Sequence, residues 1–213
     1  MSVFNILKYR YLKRYYAARF ISNFGNGMGP VALAFGILHL KNGSPSILGL
    51  VLASATIPML IMSPFGGVIA DKFGRARMAG ISDVWGSLGL FVQAVFFIRG
   101  DVPLWIMLVA NINFGLMWGI FWPANLGIVP SLVPEDELQQ SNAFANFFTN
   151  SSVIFGAASA GILVSQFGAG WALLIDAATF FIAGSLVLSF ANKIHAKSES
   201  TNSMLSDLKH GWK

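Results

Sequence analysis

Gly66-Gly67-Val68-Ile69-Ala70-Asp71-Lys72-Phe73-Gly74-Arg75-Ala76-Arg77 is the densest patch of chemistry in the chain, and it separates two long apolar runs. Four charged side chains, Asp71, Lys72, Arg75 and Arg77, are pinned within seven residues with little room to wander. Gly67 and Gly74 are read as supplying the tight backbone turn that larger residues resist. Asp71 stands where its carboxylate meets helix amides or neighbouring cations. A charged loop held between two segments of bilayer-spanning length sets the fold.

Working outward, the 213 residues are 55% hydrophobic and 11% charged, with a mean hydropathy of +0.64. A soluble domain of this length is not expected to show that balance, so a multi-pass membrane protein, read as all-α, is the default. Six apolar segments, near 17–40, 46–70, 78–98, 102–124, 144–167 and 171–191, each approach the roughly 20 residues that about 30 Å of hydrocarbon demands. Breakers fall between them: Asn42-Gly43-Ser44-Pro45, the loop from Asp71 to Arg77, Gly100 to Pro103, Pro130 to Pro134 and Gly168 to Gly170. Residues 1–16, basic and aromatic, read as a cytoplasmic amphipathic segment at the lipid surface, since no cleavable leader pattern is present. Residues 17–191 form the membrane domain. Residues 192–213 turn polar and read as a cytoplasmic tail in which Leu205, Leu208 and Trp212 share one face of a short helix, with Ser203 as its cap.

Charge placement orients the chain. The N-terminal segment, counted with Arg19, holds five Lys and Arg, the loop after the second span three and the tail four, against only Lys41 and Arg99 on the other side. Twelve against two places both termini in the cytoplasm, and the protein is expected in the cell (inner) membrane. The formal charge of +5 is thereby explained by topology, and a nucleic-acid partner is not expected. Cysteine is absent, and His39, His195 and His210 are scattered. No metal site, no cofactor and no enzymatic Ser/His or paired-Asp arrangement is expected.

The spacing Gly67-x-x-Ala70-Asp71-Lys72-x-Gly74-Arg75-x-Arg77 resembles the signature loop between the second and third transmembrane helices of major facilitator superfamily transporters. Residues 121–143, with Pro123, Pro130, Pro134, Glu137, Leu138, Asn142 and Ala143 in register, resemble the macrolide-efflux and enterobactin-exporter branch. Asn125 stands where that branch leads one to expect a basic residue. Gly156-Ala-Ala-Ser-Ala-Gly161 resembles an exporter element of the superfamily, with Ala157 in place of its proline. The resemblance spans residues 20–191.

It implies six transmembrane helices arranged as two inverted three-helix repeats, the N-terminal half of a twelve-helix secondary transporter. It further implies alternating access about a midplane site and outward movement of a small lipophilic or siderophore-like compound in exchange for protons. Asp71 would latch a cytoplasmic gate against a helix end of the C-terminal half, positioned by the Arg75 cluster. The partners implied are a small-molecule substrate, membrane lipid, and either a C-terminal six-helix half or a second copy of the chain. The tail reads as the start of a linker between halves. A different class, a non-transporting membrane scaffold or receptor, predicts no use for the charged loop.

Inverted symmetry makes helices one and four equivalent. Asn23-Phe24-Gly25 with Gly29 recurs as Asn113-Phe114-Gly115 with Gly119, ninety residues on. Asn23, Asn26, Asn111 and Asn113 are therefore candidate substrate contacts, because an amide in hydrocarbon needs a partner, or else they are interhelical glue. Trp118, with Phe121, Trp122, Phe144, Phe147 and Phe148, reads either as an aromatic wall for a flat substrate or as lipid-facing packing. Gly156 with Ala160, and Ala157 with Gly161, allow close helix approach.

Two acids lie inside the spans, and each costs about 2.5 to 3.5 kcal/mol to insert at a helix centre. Asp83 is read as the partner of Arg75 or Arg77, with proton coupling as its other role. Asp176 reads equally as a proton carrier and as a capping and packing group near a helix start. The first span holds no acid, and Asn26, where the resemblance points, cannot titrate.

Overall fold

The computed structural model describes residues 8–194. Six helices account for nearly all of them: α1 (Arg10–Leu38), α2 (Pro45–Phe73), α3 (Arg75–Arg99), α4 (Leu104–Leu126), α5 (Glu135–Phe167) and α6 (Ala169–Ala191), with a 3-10 turn at Val129–Ser131 before α5. No strand occurs among the described residues. Helices α2 to α6 are long and apolar enough to cross a membrane. α1 has the length, but it carries Arg10, Lys13, Arg14, Arg19, Asn23 and Asn26.

Local chemistry sets the ends. Ser44 accepts a hydrogen bond from the Ile47 amide at 3.2 Å and Pro45 takes the first helical position, so α2 starts where its orphan donors are met. Gly74, Gly100 and Gly168 have φ of +94°, +78° and +86° and close α2, α3 and α5. Gly67 is not part of the turn: α2 runs through it to Phe73, and the reversal is made at Gly74 alone. Helices of the bilayer tolerate an interior glycine that a soluble helix would resist.

Two helices begin well before their apolar runs do, by seven residues or more. α1 starts at Arg10, within the stretch expected to lie on the lipid surface, because Leu12, Tyr15 and Tyr16 pack against Phe190 and Ile128. Protein, rather than lipid, covers their apolar side. α5 starts at Glu135, with Glu135, Asp136 and Glu137 in its first turn, where the positive end of the helix dipole favours carboxylates. Residues 1–7 and the tail helix expected at Leu205, Leu208 and Trp212 lie outside the described residues.

The helices alternate in direction. One buried cluster gathers Leu12, Ala70, Ala76, Phe121, Val133 and Phe190 at the end where α1 begins and α6 finishes. A second gathers Met28, Val51, Ala94, Met107, Ala160 and Ala172 toward the opposite end. α1 packs on α5 and α6, α4 packs on α2 and α3, and α3 packs on α6. That pairing is unchanged when α1 is exchanged with α4, α2 with α5 and α3 with α6, as two related three-helix units require.

The ninety-residue offset of Asn23 and Asn113 also relates Gly66 to Gly156 and Gly80 to Gly170. Gly66 lies against the Gly119 carbonyl of α4, and Gly156 against the Phe24 carbonyl of α1. Equivalent glycines thus sit at equivalent crossings. The outward faces of α2 and α5, with Leu60, Ile61, Ile154 and Phe155, are exposed.

Candidate functional site

At the end where it begins, α1 is tied to its neighbours by polar bonds. The Tyr15 hydroxyl donates to Asn125 Oδ1 of α4 at 2.6 Å, and the Tyr16 hydroxyl donates to the Ser141 carbonyl of α5 at 2.9 Å. Two turns further, Asn23 Nδ2 donates to Thr149 Oγ1 at 3.1 Å. Lys8 Nζ meets Glu137 Oε1 at 2.6 Å, and this hydrogen bond holds the exposed Lys8 ammonium above its usual range. An exposed pair of that kind adds little stability.

Between these ties α1, α4 and α5 enclose a cavity of about 250 Å³. Trp118, Phe121 and Trp122 form its α4 wall and Phe148 stands on α5. The rings are paired rather than scattered: Trp118 stacks on Phe121 at 4.9 Å and Phe144 packs tilted against Phe148 at 4.4 Å, centroid to centroid. Asn23 and Trp118 line the cavity, whereas Asn26, Asn111 and Asn113 do not. Asn26 donates to Asn23 at 3.4 Å, and Asn111 donates back to the Met107 carbonyl of its own helix at 2.8 Å. Asn113 accepts from Trp85 Nε1 at 2.8 Å and so joins α4 to α3.

Arg19 is the residue the sequence reading missed. It was counted with the terminal cations, but it is buried on α1, and it pairs with Asp83 of α3. The terminal-side count of Lys and Arg therefore falls from twelve to eleven, still against two. Asp83 accordingly does not serve Arg75 or Arg77: its side chain points into the bundle rather than up toward the loop. The guanidinium sits over the Phe121 ring at 4.7 Å and lines the cavity. The available signal was a lone arginine inside the apolar run after Ala17 and Ala18.

Asp176 is buried on α6 with its carboxylate against Gly25 and Gly29 of α1. Its Oδ1 has no hydrogen-bond partner among the described residues.

In the loop, Arg75 Nε donates to Asp71 Oδ1 at 2.7 Å, one helical turn apart across the break. The Arg75 guanidinium also lies against Gly127, the residue that closes the C-terminus of α4. A cation there gains from the negative helix end, typically about 0.3 to 1 kcal/mol. Asp71 and Arg75 are both about half exposed, and Lys72 and Arg77 are exposed. The loop is thus an accessible charge pair braced on α4. Gly74→Ala is expected to destabilise the chain by about 1 to 3 kcal/mol, because its backbone lies where side chains are strained; thermal unfolding in detergent measures it.

Of the close-packing set, Gly156 meets α1 and Ala160 is fully buried, whereas Gly161 has nothing within 4 Å.

A family model of the Major Facilitator Superfamily matches residues 15–211. The chain belongs to that superfamily. It is 26% identical over 200 residues to the MFS-type transporter YfiS of Bacillus subtilis, covering 92% of this chain and 46% of that one. It is 25% identical over 186 residues to the staphyloferrin A transporter of Staphylococcus aureus, covering 85% of this chain and 46% of that one. With the quinolone resistance protein NorA of S. aureus the identity is 26% over 162 residues, covering 74% and 38%. The chain spans about half the length of these curated relatives. It is a multi-pass membrane protein of a transporter superfamily, with transporters and a quinolone resistance protein among its relatives.

Proposed function

We propose that this chain is the N-terminal six-helix half of a secondary active exporter, nearest to the macrolide-efflux and enterobactin-exporter branch. It moves a small lipophilic or siderophore-like compound outward by alternating access, in exchange for protons. The observation that carries the reading is the aromatic cavity between α1, α4 and α5, opening on a half-domain whose other half is a C-terminal six-helix unit or a second copy. Both termini face the cytoplasm, in keeping with the cations gathered at their end. In this reading Asp71 closes the gate from its accessible position, and Arg75 braces it on the end of α4.

Asp176 is the better proton carrier of the two buried acids. Asp83 is held by Arg19, whereas Asp176 can gain and lose a proton without breaking an ion pair. Its place against Gly25 and Gly29 puts the protonation change directly on the α1/α6 contact, which a rocking half must adjust.

Inside-out vesicles carrying the complete transporter, loaded with a fluorescent lipophilic dye under an imposed pH gradient, test this. Asp176→Asn is expected to abolish gradient-driven accumulation and Asp71→Asn to lower it at least about tenfold. Accumulation that is indifferent to a protonophore and to Asp176→Asn removes the coupling. Accumulation indifferent to Asp71→Asn returns the loop to the scaffold reading.

A further inference from the structure

Arg19 is the one formally charged side chain lining the cavity, and no acidic residue lines it among those described. The other polar groups there are neutral: Asn23, Asn142, Asn146 and Thr149 among them. Only one guanidinium nitrogen of Arg19, Nη2, is engaged by Asp83, and Nε has no partner among the described residues. A guanidinium carries five N–H donors in a planar fork that matches a carboxylate, so most of its capacity is unspent. The Phe121 ring lies 4.7 Å and the Tyr15 ring 5.8 Å from the guanidinium carbon, so aromatic faces flank that fork. Asp83 approaches from α3 and does not line the cavity, so it does not oppose an anion entering from α4 and α5.

The geometry points to a carboxylate-binding subsite: Arg19 selects anionic substrates whose flat apolar body rests on Trp118 and Trp122. Asp83 is the positioning residue that holds the guanidinium at the cavity wall. This inference rests on the transport reading and narrows its substrate class from lipophilic compounds in general to anionic amphiphiles. The neutral amides of Asn142 and Asn146 line the same cavity, and donors to an ionised acceptor form the stronger class of hydrogen bond.

The chain in lipid nanodiscs, titrated calorimetrically with empty nanodiscs subtracted, provides the test. Three probes share one ring system and differ in head charge: 2-naphthoate, 2-naphthylmethanol and 2-naphthylmethylammonium. The naphthoate is expected to bind saturably and at least about tenfold more tightly than the other two. Arg19→Gln combined with Asp83→Asn, which removes both charges and leaves a neutral hydrogen-bonded pair, is expected to erase that preference while preserving the melting transition. Arg19→Lys, which keeps the charge and loses the fork, is expected to retain part of it. Absence of saturable naphthoate binding, equal binding of the three probes, or a preference that survives in the double variant overturns the inference. The dye experiment reports separately: lost coupling with the preference intact sinks export and leaves the anion site standing.

Discussion

Arg19→Met is expected to lower the unfolding free energy by about 3 to 5 kcal/mol, Asp83→Leu by a similar amount, and the two together by much less than either. Both partners are buried, with side chains 10% and 1% exposed, and they join α1 to α3 across the core. Replacing one leaves the other ionised without a counter-ion in a medium that solvates it poorly. Replacing both with apolar groups of similar bulk removes the charges and their desolvation together. Asp83 Oδ1 and Arg19 Nε lack partners among the described residues, so the pair is incompletely satisfied even when intact. An apolar pair can therefore match it. The check is a double-mutant cycle on thermal unfolding in detergent. If each single variant stays within about 1 kcal/mol of the parent, the pair does not carry the α1 to α3 contact.

That pair also marks the limit of what the sequence made legible. Six helices, their breakers and the alternation of direction follow from the apolar runs and from Ser44, Pro45, Gly74, Gly100 and Gly168, all of which act locally. Arg19 could not be placed that way, because its partner is 64 residues away and its depth depends on α1 continuing back to Arg10. The amides divide on the same principle. Asn23, Asn26, Asn111 and Asn113 all lie on helices, but which one faces the cavity depends on helix rotation, and Asn111 spends its donor on its own backbone. Asn125, flagged only as the wrong residue for its branch, proves to be the acceptor for Tyr15. The ninety-residue echo was visible at Asn23 and Asn113. Its extension to Gly66 and Gly156 was not, because with 22 glycines in the chain a spacing means little until both are seen at helix crossings.

Gly156→Leu is expected to cost about 3 kcal/mol or more, whereas Gly161→Leu, little more than one turn away on the same helix, stays within about 0.5 kcal/mol. A side chain at position 156 would enter the space of the Phe24 carbonyl and the Gly27 backbone of α1, while position 161 meets nothing within 4 Å. The obstacle is main chain in a continuous helix, which cannot rotate aside as a side chain would. α1 and α5 must then separate along their length. In lipid no hydrophobic gain draws them back, since the acyl chains offer the same apolar surroundings, and close packing of small residues is what holds such helices together. Gly66→Leu is expected to do the same at the α2/α4 crossing, against the Gly119 carbonyl. Melting temperatures of the three variants in one detergent decide the matter. Equal losses at 156 and 161 would mean that bulk anywhere on α5, rather than contact with α1, sets the cost. Separation at 156 also pulls Asn23 from Thr149 and opens the cavity wall, so probe binding should fall with stability in Gly156→Leu and remain at the parental level in Gly161→Leu.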